Sequence, residues 1–515
     1  MKSLLVKSSK LKGKIELHTS KSHSRRTIYS RNMIIVSIAE NKFSDLLKRA
    51  TQAQKQADLI EIRLEALSSF NSSQIEKLNV AFSPLFTLRS KKEGGAKAFS
   101  PSKRKALLKE LIDLKPKYLD LEFKRDTSLI PYLKKISPKT KLILSFHDTQ
   151  KMPANIDALI LKMKKYKPWK VKVVGTAKST LDALKMLTHV KKHSNVIGIA
   201  MGEKGFLTRL LGPLYKEPIT YATLTQKGQT APGQFSANEL EEVFNYSRLN
   251  SKTKLLAILG NPLSQSPGYK VYNQMFKKQK INALYVNIEL EKGKIKTAIP
   301  LMQELGFFGA SVTIPFKESV KPFVKSIAKK QKEIGSLNSL LFHKKGIKSL
   351  NTDGIGALKL FKSKGIRNKK VLILGAGGTA KGIGFVLKQA GAEITIANRT
   401  DAKAKALAKS LEGRFRPFET LKCLKKEDYD ILVQATSVGN DDPKACLLDS
   451  RVIYPGKQVL DVVFRETKLA RIARKKNCTV FTGKTFWISQ AEEQIRFWFK
   501  KVKPNTSKLM NHYMP

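Results

Sequence analysis

Between residues 33 and 225 the chain carries eight short apolar runs separated by lysine-rich stretches of helical periodicity, and this repetition restricts the fold more than any other feature. The runs are "MIIVSIA", "LIEIRLE", "LFTLRS", "YLDLEF", "KLILSFHD", "KVKVVGT", "NVIGIAMG" and "ITYATL". Each has the length of a strand, and they recur every ~25 to 30 residues without the repeating signature of a solenoid. Eight strands alternating with helices predict a (β/α)8 barrel over 33–245.

A polar link, "NYSRLNSKTK", leads into a second α/β series with strands expected near 254–260, 283–290, 309–315 and 336–343. Then comes "VLILGAGGTAKGIGF", a buried strand, a glycine turn and a helix, followed by the strands "AEITIANR", "YDILVQAT" and "QVLDVVF". The expected organisation is a basic leader at 1–32, the barrel at 33–245, a small α/β domain at 254–355, a Rossmann-type dinucleotide domain at 356–482, and a C-terminal helix at 483–505 that packs back on the small domain.

A formal charge of +56 would by itself suggest nucleic acid. The lysines, however, lie along the whole chain on the polar faces of amphipathic segments, with no basic tail and no aromatic-interleaved basic motif. No run approaches the roughly 18 apolar residues of a membrane span. The three cysteines, Cys423, Cys446 and Cys478, have neither ligand-like spacing nor a disulfide pattern, which fits a reducing compartment.

Barrel active sites lie at the C-terminal ends of the strands, and these ends carry chemistry: Glu61 and Arg63, Arg89 and Glu93, Asp120 and Glu122, His147 and Asp148, and Lys172. Lys172 sits inside an apolar strand, where burial should lower the ammonium pKa and leave an amine able to attack a ketone. A strand-edge lysine reaching solvent is the ordinary alternative. His147 ends the adjacent strand, and an imidazole beside an imine can move the neighbouring proton. The arginines suit an anionic substrate.

These residues resemble type I 3-dehydroquinate dehydratase. The resemblance rests on "EIR" at 61–63, "LFTLRSKKEGG" at 85–95, "SFHD" at 145–148, "KVV" at 172–174, "MGEKGFLTR" at 201–209 and "TAPGQ" at 230–234. It implies that Lys172 forms an imine with the C3 ketone of 3-dehydroquinate. His147 would then remove a C2 proton and protonate the departing hydroxyl, with Glu93 orienting it. Arg89, Arg209, Thr230 and Gln234 would hold the carboxylate and hydroxyls, with Glu61 and Arg63 completing the shell.

In the second half, Gly375, Ala376, Gly377, Gly378, Thr379 and Ala380 form a GxGxxA turn that lets backbone approach a pyrophosphate. The following strand ends in Asn398, Arg399 and Thr400, with Lys403 one turn on, where an NAD enzyme would place an acid for the ribose hydroxyls. A 2′-phosphate suits these residues, so NADP(H) is the expected cofactor. No metal is expected.

This half resembles shikimate dehydrogenase through "GNPLSQSP" at 260–267, "SVTIPFK" at 311–317, "IGSLNSL" at 334–340, "NTDGIG" at 351–356, "ATSVG" at 435–439 and "GKTFWISQA" at 483–491. The resemblance implies a catalytic pair, Lys317 and Asp353, and a shikimate shell of Ser264, Ser266, Thr313, Asn338 and Gln490. Two departures stand out: a serine loop shorter than usual and without its histidine, and Phe464 in place of a tyrosine.

Together the resemblances imply a bifunctional shikimate-pathway enzyme acting on 3-dehydroquinate, 3-dehydroshikimate and shikimate, without a nucleic-acid or membrane partner. The alternatives are a shikimate dehydrogenase with an inactive barrel and a basic nucleic-acid-binding protein whose enzyme domains have decayed. The leader has the basic, serine-rich composition of an organelle transit peptide, and its "LKGKIELHTSKSHSRR" resembles the opening of 5-enolpyruvylshikimate-3-phosphate synthase. It is given no catalytic role. The expected location is cytoplasmic, or plastid if the leader is a transit peptide; the sequence leaves the oligomeric state open.

Overall fold

The computed structural model describes residues 32–225, 233–263, 266, 268–324, 329–362 and 365–504. The leader, Thr230 and Ser264 lie outside them. Among the described residues no helix is long and apolar enough to cross a membrane.

The eight apolar runs form the strands β1 (Met33–Ile38), β2 (Leu59–Arg63), β3 (Leu85–Thr87), β4 (Tyr118–Glu122), β5 (Lys141–Asp148), β6 (Lys170–Thr176), β7 (Val196–Met201) and β8 (Ile219–Ala222). They pair in parallel in the order β7-β6-β5-β4-β3-β2-β1-β8, so that β1 and β8 are neighbours and the barrel is nearly closed. The (β/α)8 architecture expected from the repetition is the one formed. Because side chains alternate along a strand, one set meets the helices and the other fills the interior. Ile35, Leu59, Leu85, Tyr118, Ile143, Ile197 and Ile219 form that interior cluster, which makes the barrel a packed core rather than a pore.

A five-stranded sheet follows, built from β9 (Lys254–Gly260), β10 (Ala283–Glu289), β11 (Gly309–Val312), β12 (Ser339–His343) and β13 (Gly346–Leu350) in the order β10-β9-β11-β12-β13. β12 runs antiparallel to both of its neighbours. β11 ends three residues before Pro315, earlier than the expected 315; a proline has no amide to give a ladder.

The third sheet contains β14 (Lys370–Leu374), β15 (Glu393–Ala397), β16 (Arg414–Phe415), β17 (Ile431–Gln434), β18 (Gln458–Asp461) and β19 (Thr479–Phe481). Its all-parallel order β16-β15-β14-β17-β18-β19 is the doubly wound arrangement, with the strand order reversing at β14. The glycine turn follows β14, so it sits at the switch point. The last helix, Gly483–Trp498, returns to the second sheet: Gln494 Nε2 donates to Asn338 O at 3.1 Å and Trp498 Nε1 to Leu340 O at 3.0 Å.

The barrel and the five-stranded unit touch directly. The barrel helix Thr180–Lys192 packs against the helix Ile295–Leu305. Tyr215 Oη donates to Leu305 O at 3.0 Å, and Lys191 Nζ donates to Glu304 O.

Candidate active sites

β6 places two lysines on the inward side, two residues apart, and both are buried. Lys170 is paired with Glu217 at 2.7 Å. Lys172, 4% exposed, has no such close partner among the described residues. Its Nζ lies 3.8 Å from Glu61 Oε1, 3.6 Å from Asp120 Oδ2 and 3.9 Å from the centroid of the Tyr221 ring. Burial lowers its pKa; Glu61 and Asp120 oppose this, while Arg89 and Arg63 push it further down.

β5 pairs with β6 so that Ser145 faces Lys172 and His147 faces Val174, which puts His147 on the same side as Lys172 and nearer the strand ends. Glu93, on the turn after β3, lies against it: Glu93 Oε2 accepts the His147 backbone amide at 3.0 Å and stands 3.1 Å from its Nδ1. Burial, followed by Arg89 and Lys172, pulls the imidazole well below its ordinary pKa.

Lys172, His147, Glu93, Glu61, Arg63, Arg89, Arg209 and Gln234 line one cavity of 300 Å³. Within it the arginines differ. Arg89 Nη2 donates to Asp120 Oδ1 at 2.9 Å, while its Nη1 donates to Ser145 Oγ at 2.8 Å and Glu122 Oε1 at 3.3 Å. Arg63 is paired with Glu65. Arg209, by contrast, is buried with no ion pair among the described residues, its Nε lacks any hydrogen-bond partner, and burial pulls its pKa down to about 10. A buried cation left this way suits an anion brought in from outside. Glu61 accepts Thr87 Oγ1 at 2.9 Å and the Ser37 hydroxyl. Burial alone would raise its pKa, but Lys172 and Arg63 outweigh that and hold it down to about 2.

Two groups near Lys172 have no role in the sequence reading, although Asp120 is among its strand-end acids. Asp120 carried the signal, since it alternates with Glu122 on β4 and so shares its inward face. Tyr221 carried none, because its ring reaches Lys172 from a strand not adjacent to β6.

A second cavity, of 210 Å³, is lined by Ser266, Thr313, Lys317, Asn338, Asp353, Thr379, Phe464 and Gln490 among others. Asp353 opens the helix Asp353–Phe361 and is buried. Its Oδ2 pairs with Lys317 Nζ, and its Oδ1 accepts Asn338 Nδ2 at 2.8 Å. Thr352 Oγ1 donates to Gln490 Oε1 at 3.2 Å, which ties the last helix into the same network. Lys317 also donates to Thr379 Oγ1 at 2.9 Å, so the dyad touches the helix that begins at the glycine turn.

That turn is built for close approach. Gly375 has φ 117°, and a Cβ there would meet Ala435 O at 2.9 Å. A Cβ on Gly377 would meet nothing within 4 Å and would instead fill the open space at the N-terminus of the helix Gly378–Gln389, where a pyrophosphate would lie. Past β15, Asn398 Nδ2 bonds Thr400 O at 3.0 Å, while Arg399 and Lys403 are exposed. Two cations follow β15, and the strand is succeeded by Asn398 rather than an acid, which fits a dinucleotide bearing an extra phosphate.

Comparison with known proteins gives three family matches: type I 3-dehydroquinase over residues 34–251, shikimate dehydrogenase substrate binding domain over 258–340, and shikimate/quinate 5-dehydrogenase over 357–441. The chain is 30% identical over 472 residues to the chloroplastic bifunctional 3-dehydroquinate dehydratase/shikimate dehydrogenase of Arabidopsis thaliana, covering 86% of this chain and 77% of that one. It is 29% identical to the shikimate biosynthesis protein AroDE of Chlamydia pneumoniae, covering 91% and 95%. Over 48% of its length it is 36% identical to the NADP+ shikimate dehydrogenase of Pyrococcus furiosus, 92% of which is covered.

Proposed function

This chain belongs to the family of bifunctional 3-dehydroquinate dehydratase/shikimate dehydrogenase proteins, and we propose that Lys172 in the barrel and the Lys317–Asp353 pair in the reductase each carry one of its two steps. The barrel dehydrates 3-dehydroquinate to 3-dehydroshikimate, and the second half reduces that ketone to shikimate with NADPH.

In the barrel, Lys172 as neutral amine attacks the C3 carbonyl and water leaves to give the imine. The iminium draws electrons from C2, whose proton His147 takes. The same imidazole returns a proton to the C1 hydroxyl as it departs, and hydrolysis of the imine frees Lys172. Arg209 holds the carboxylate, with Arg63, Arg89, Thr230 and Gln234 around the hydroxyls. The observation that carries this reading is a buried lysine of lowered pKa sharing a cavity with a histidine backed by Glu93 and with an arginine that has no ion pair among the described residues.

In the reductase, bound NADPH supplies the hydride. Lys317 donates the proton to the carbonyl oxygen, and Asp353 holds Lys317 and the same hydroxyl. Ser264, Ser266, Thr313, Asn338 and Gln490 bind the carboxylate and hydroxyls. Gly375 to Ala380 approach the pyrophosphate, and Asn398, Arg399, Thr400 and Lys403 receive the 2′-phosphate.

We assign the barrel to 33–245, the substrate domain to 254–355, the cofactor domain to 356–482 and the returning helix to 483–505. The proposed location is the cytoplasm, or a plastid if 1–32 acts as a transit peptide. The division of labour is tested by His147→Ala and Lys317→Ala. The first should abolish dehydration and spare shikimate oxidation, and the second should do the reverse; loss of both reactions from either change in a folded chain would contradict it.

A further inference from the structure

Glu289 ends β10 opposite Gly260, the last residue of β9, and from Gly260 the chain enters the serine loop that lines the reductase cavity. Several hydrogen bonds hold the start of this loop, the Asn261 amide to Ile314 O at 3.0 Å among them. Asn261 Nδ2 donates to Leu290 O at 3.0 Å, the Leu263 amide donates to Glu289 Oε2 at 2.9 Å, and Leu263 O accepts the Ser266 amide at 2.9 Å. The Glu289 carboxylate is therefore joined through one residue to Ser266, whose side chain faces substrate in the reading above.

The other oxygen of Glu289 belongs to a different contact. Oε1 accepts Lys204 Nζ at 3.2 Å, and Lys204 is a barrel residue, on the turn Glu203–Gly205 that follows β7. Gly202, two residues before it, is in the wall of the dehydratase cavity. Beside this pair, barrel and reductase residues line an open cleft of 440 Å³ whose wall includes Phe235, Phe244, Leu263 and Tyr269. The rings of Phe244 and Tyr269 stack across it with centroids 6.0 Å apart. Burial would raise the Glu289 pKa, but the Leu263 amide and Lys204 hold it below the ordinary carboxylate value.

We propose that Glu289 is a positioning residue for the reductase, fixing Leu263 and through it the Ser266 amide, and that Lys204 of the barrel holds Glu289 in place, so that the barrel contributes to the reductase's affinity for its substrate. The proposal rests on the shikimate dehydrogenase reading of the second half. The two contacts differ in strength. The bond from a buried amide to a carboxylate is charge-assisted. The ion pair is 46% exposed at Lys204 and 31% at Glu289, so water screens it and its effect is the smaller.

Steady-state shikimate oxidation by the full chain tests this. Glu289→Ala should raise KM for shikimate about fivefold with kcat nearly unchanged, the pattern of lost substrate positioning, and Glu289→Gln, which keeps an acceptor for the Leu263 amide, should recover most of it. Lys204→Met should raise KM about twofold in the wild type and not at all in the Glu289→Ala background, because it acts only through Glu289. A wild-type KM in Glu289→Ala, or an undiminished Lys204 effect in that background, overturns the proposal. If Glu289→Ala does not fold, seen as loss of dehydratase turnover, Lys204→Arg against Lys204→Met decides: arginine should keep the wild-type KM and methionine should not, and equal values overturn it. A wild-type chain that oxidises no shikimate would instead overturn the reductase reading itself.

Discussion

Glu93 Oε2 meets His147 at two points, the backbone amide at 3.0 Å and ring Nδ1 at 3.1 Å, so one carboxylate fixes both the strand end and the imidazole. Burial and then Glu122 push the Glu93 pKa up to about 8, against the pull of Arg89. Below that value a protonated Glu93 can donate to Nδ1 and leave the imidazole proton on Nε2, the wrong tautomer for a base. Above it the carboxylate accepts Nδ1–H and frees the Nε2 lone pair. The dehydratase kcat should therefore rise with pH through about 8. In Glu93→Gln this limb should disappear and the rate fall roughly 10- to 100-fold. A pH–rate profile of both proteins checks this, and a limb that survives in the glutamine variant would rule out Glu93 as its source.

Linkage adds a stability effect of known sign. The Glu61 pKa is held down to about 2, with burial opposing and Lys172, Arg63 and Ser37 prevailing. Its contribution to stability is present above the unfolded carboxylate pKa and is lost as pH falls from there towards 2. Glu61→Gln should accordingly flatten the acid side of a plot of Tm against pH. An acid limb identical to the wild type's would show that Glu61 is not held in this way.

Lys172 should be trapped as a secondary amine when borohydride is added during turnover of 3-dehydroquinate, and peptide mass spectrometry should find the added mass there. Lys170, two residues away but paired with Glu217 at 2.7 Å, should remain unlabelled. Label on any other lysine would move the chemistry elsewhere.

Particular residues show why part of this was legible in the sequence. "KLILSFHD" and "KVKVVGT" coincide with β5 and β6, because strand-length runs that are mostly apolar need no distant partner to define their ends. β3 stops at Thr87, short of the run's Ser90, because the amides of Arg89 and Ser90 turn to Glu65 Oε2 and Glu122 Oε1. Those acceptors come from other strand ends and leave no local mark. β13, "GIKSL", is half polar and pairs only with β12, so no apolar run announced it. In the sites, residue types and strand ends were legible. The ring of Tyr221 beneath Lys172 and the hold of Glu289 on Leu263 were not, since both depend on which segments become neighbours.

Arg399 is exposed after β15, with Lys403 one turn on. If it receives the 2′-phosphate, Arg399→Ala should raise KM for NADP roughly tenfold, the factor for one charge-assisted hydrogen bond, and leave KM for NAD unchanged. Equal use of both cofactors by the wild type would contradict this assignment.

Phe464 lines the reductase cavity within the aromatic cluster of Tyr272 and Trp487. A hydroxyl at this position that reached the substrate carboxylate would strengthen binding by about 1 to 3 kcal/mol. Phe464→Tyr should lower KM for shikimate several-fold with little change in kcat. An unchanged or raised KM would mean that the ring serves only as packing.

One purified chain given 3-dehydroquinate and NADPH, with no second enzyme, tests the bifunctional reading most directly. NADPH should be consumed and shikimate should accumulate, after a lag while 3-dehydroshikimate builds up or without one if it passes quickly to the second site. No shikimate from 3-dehydroquinate, in a preparation that still reduces added 3-dehydroshikimate, would leave the barrel without the activity assigned to Lys172 and His147.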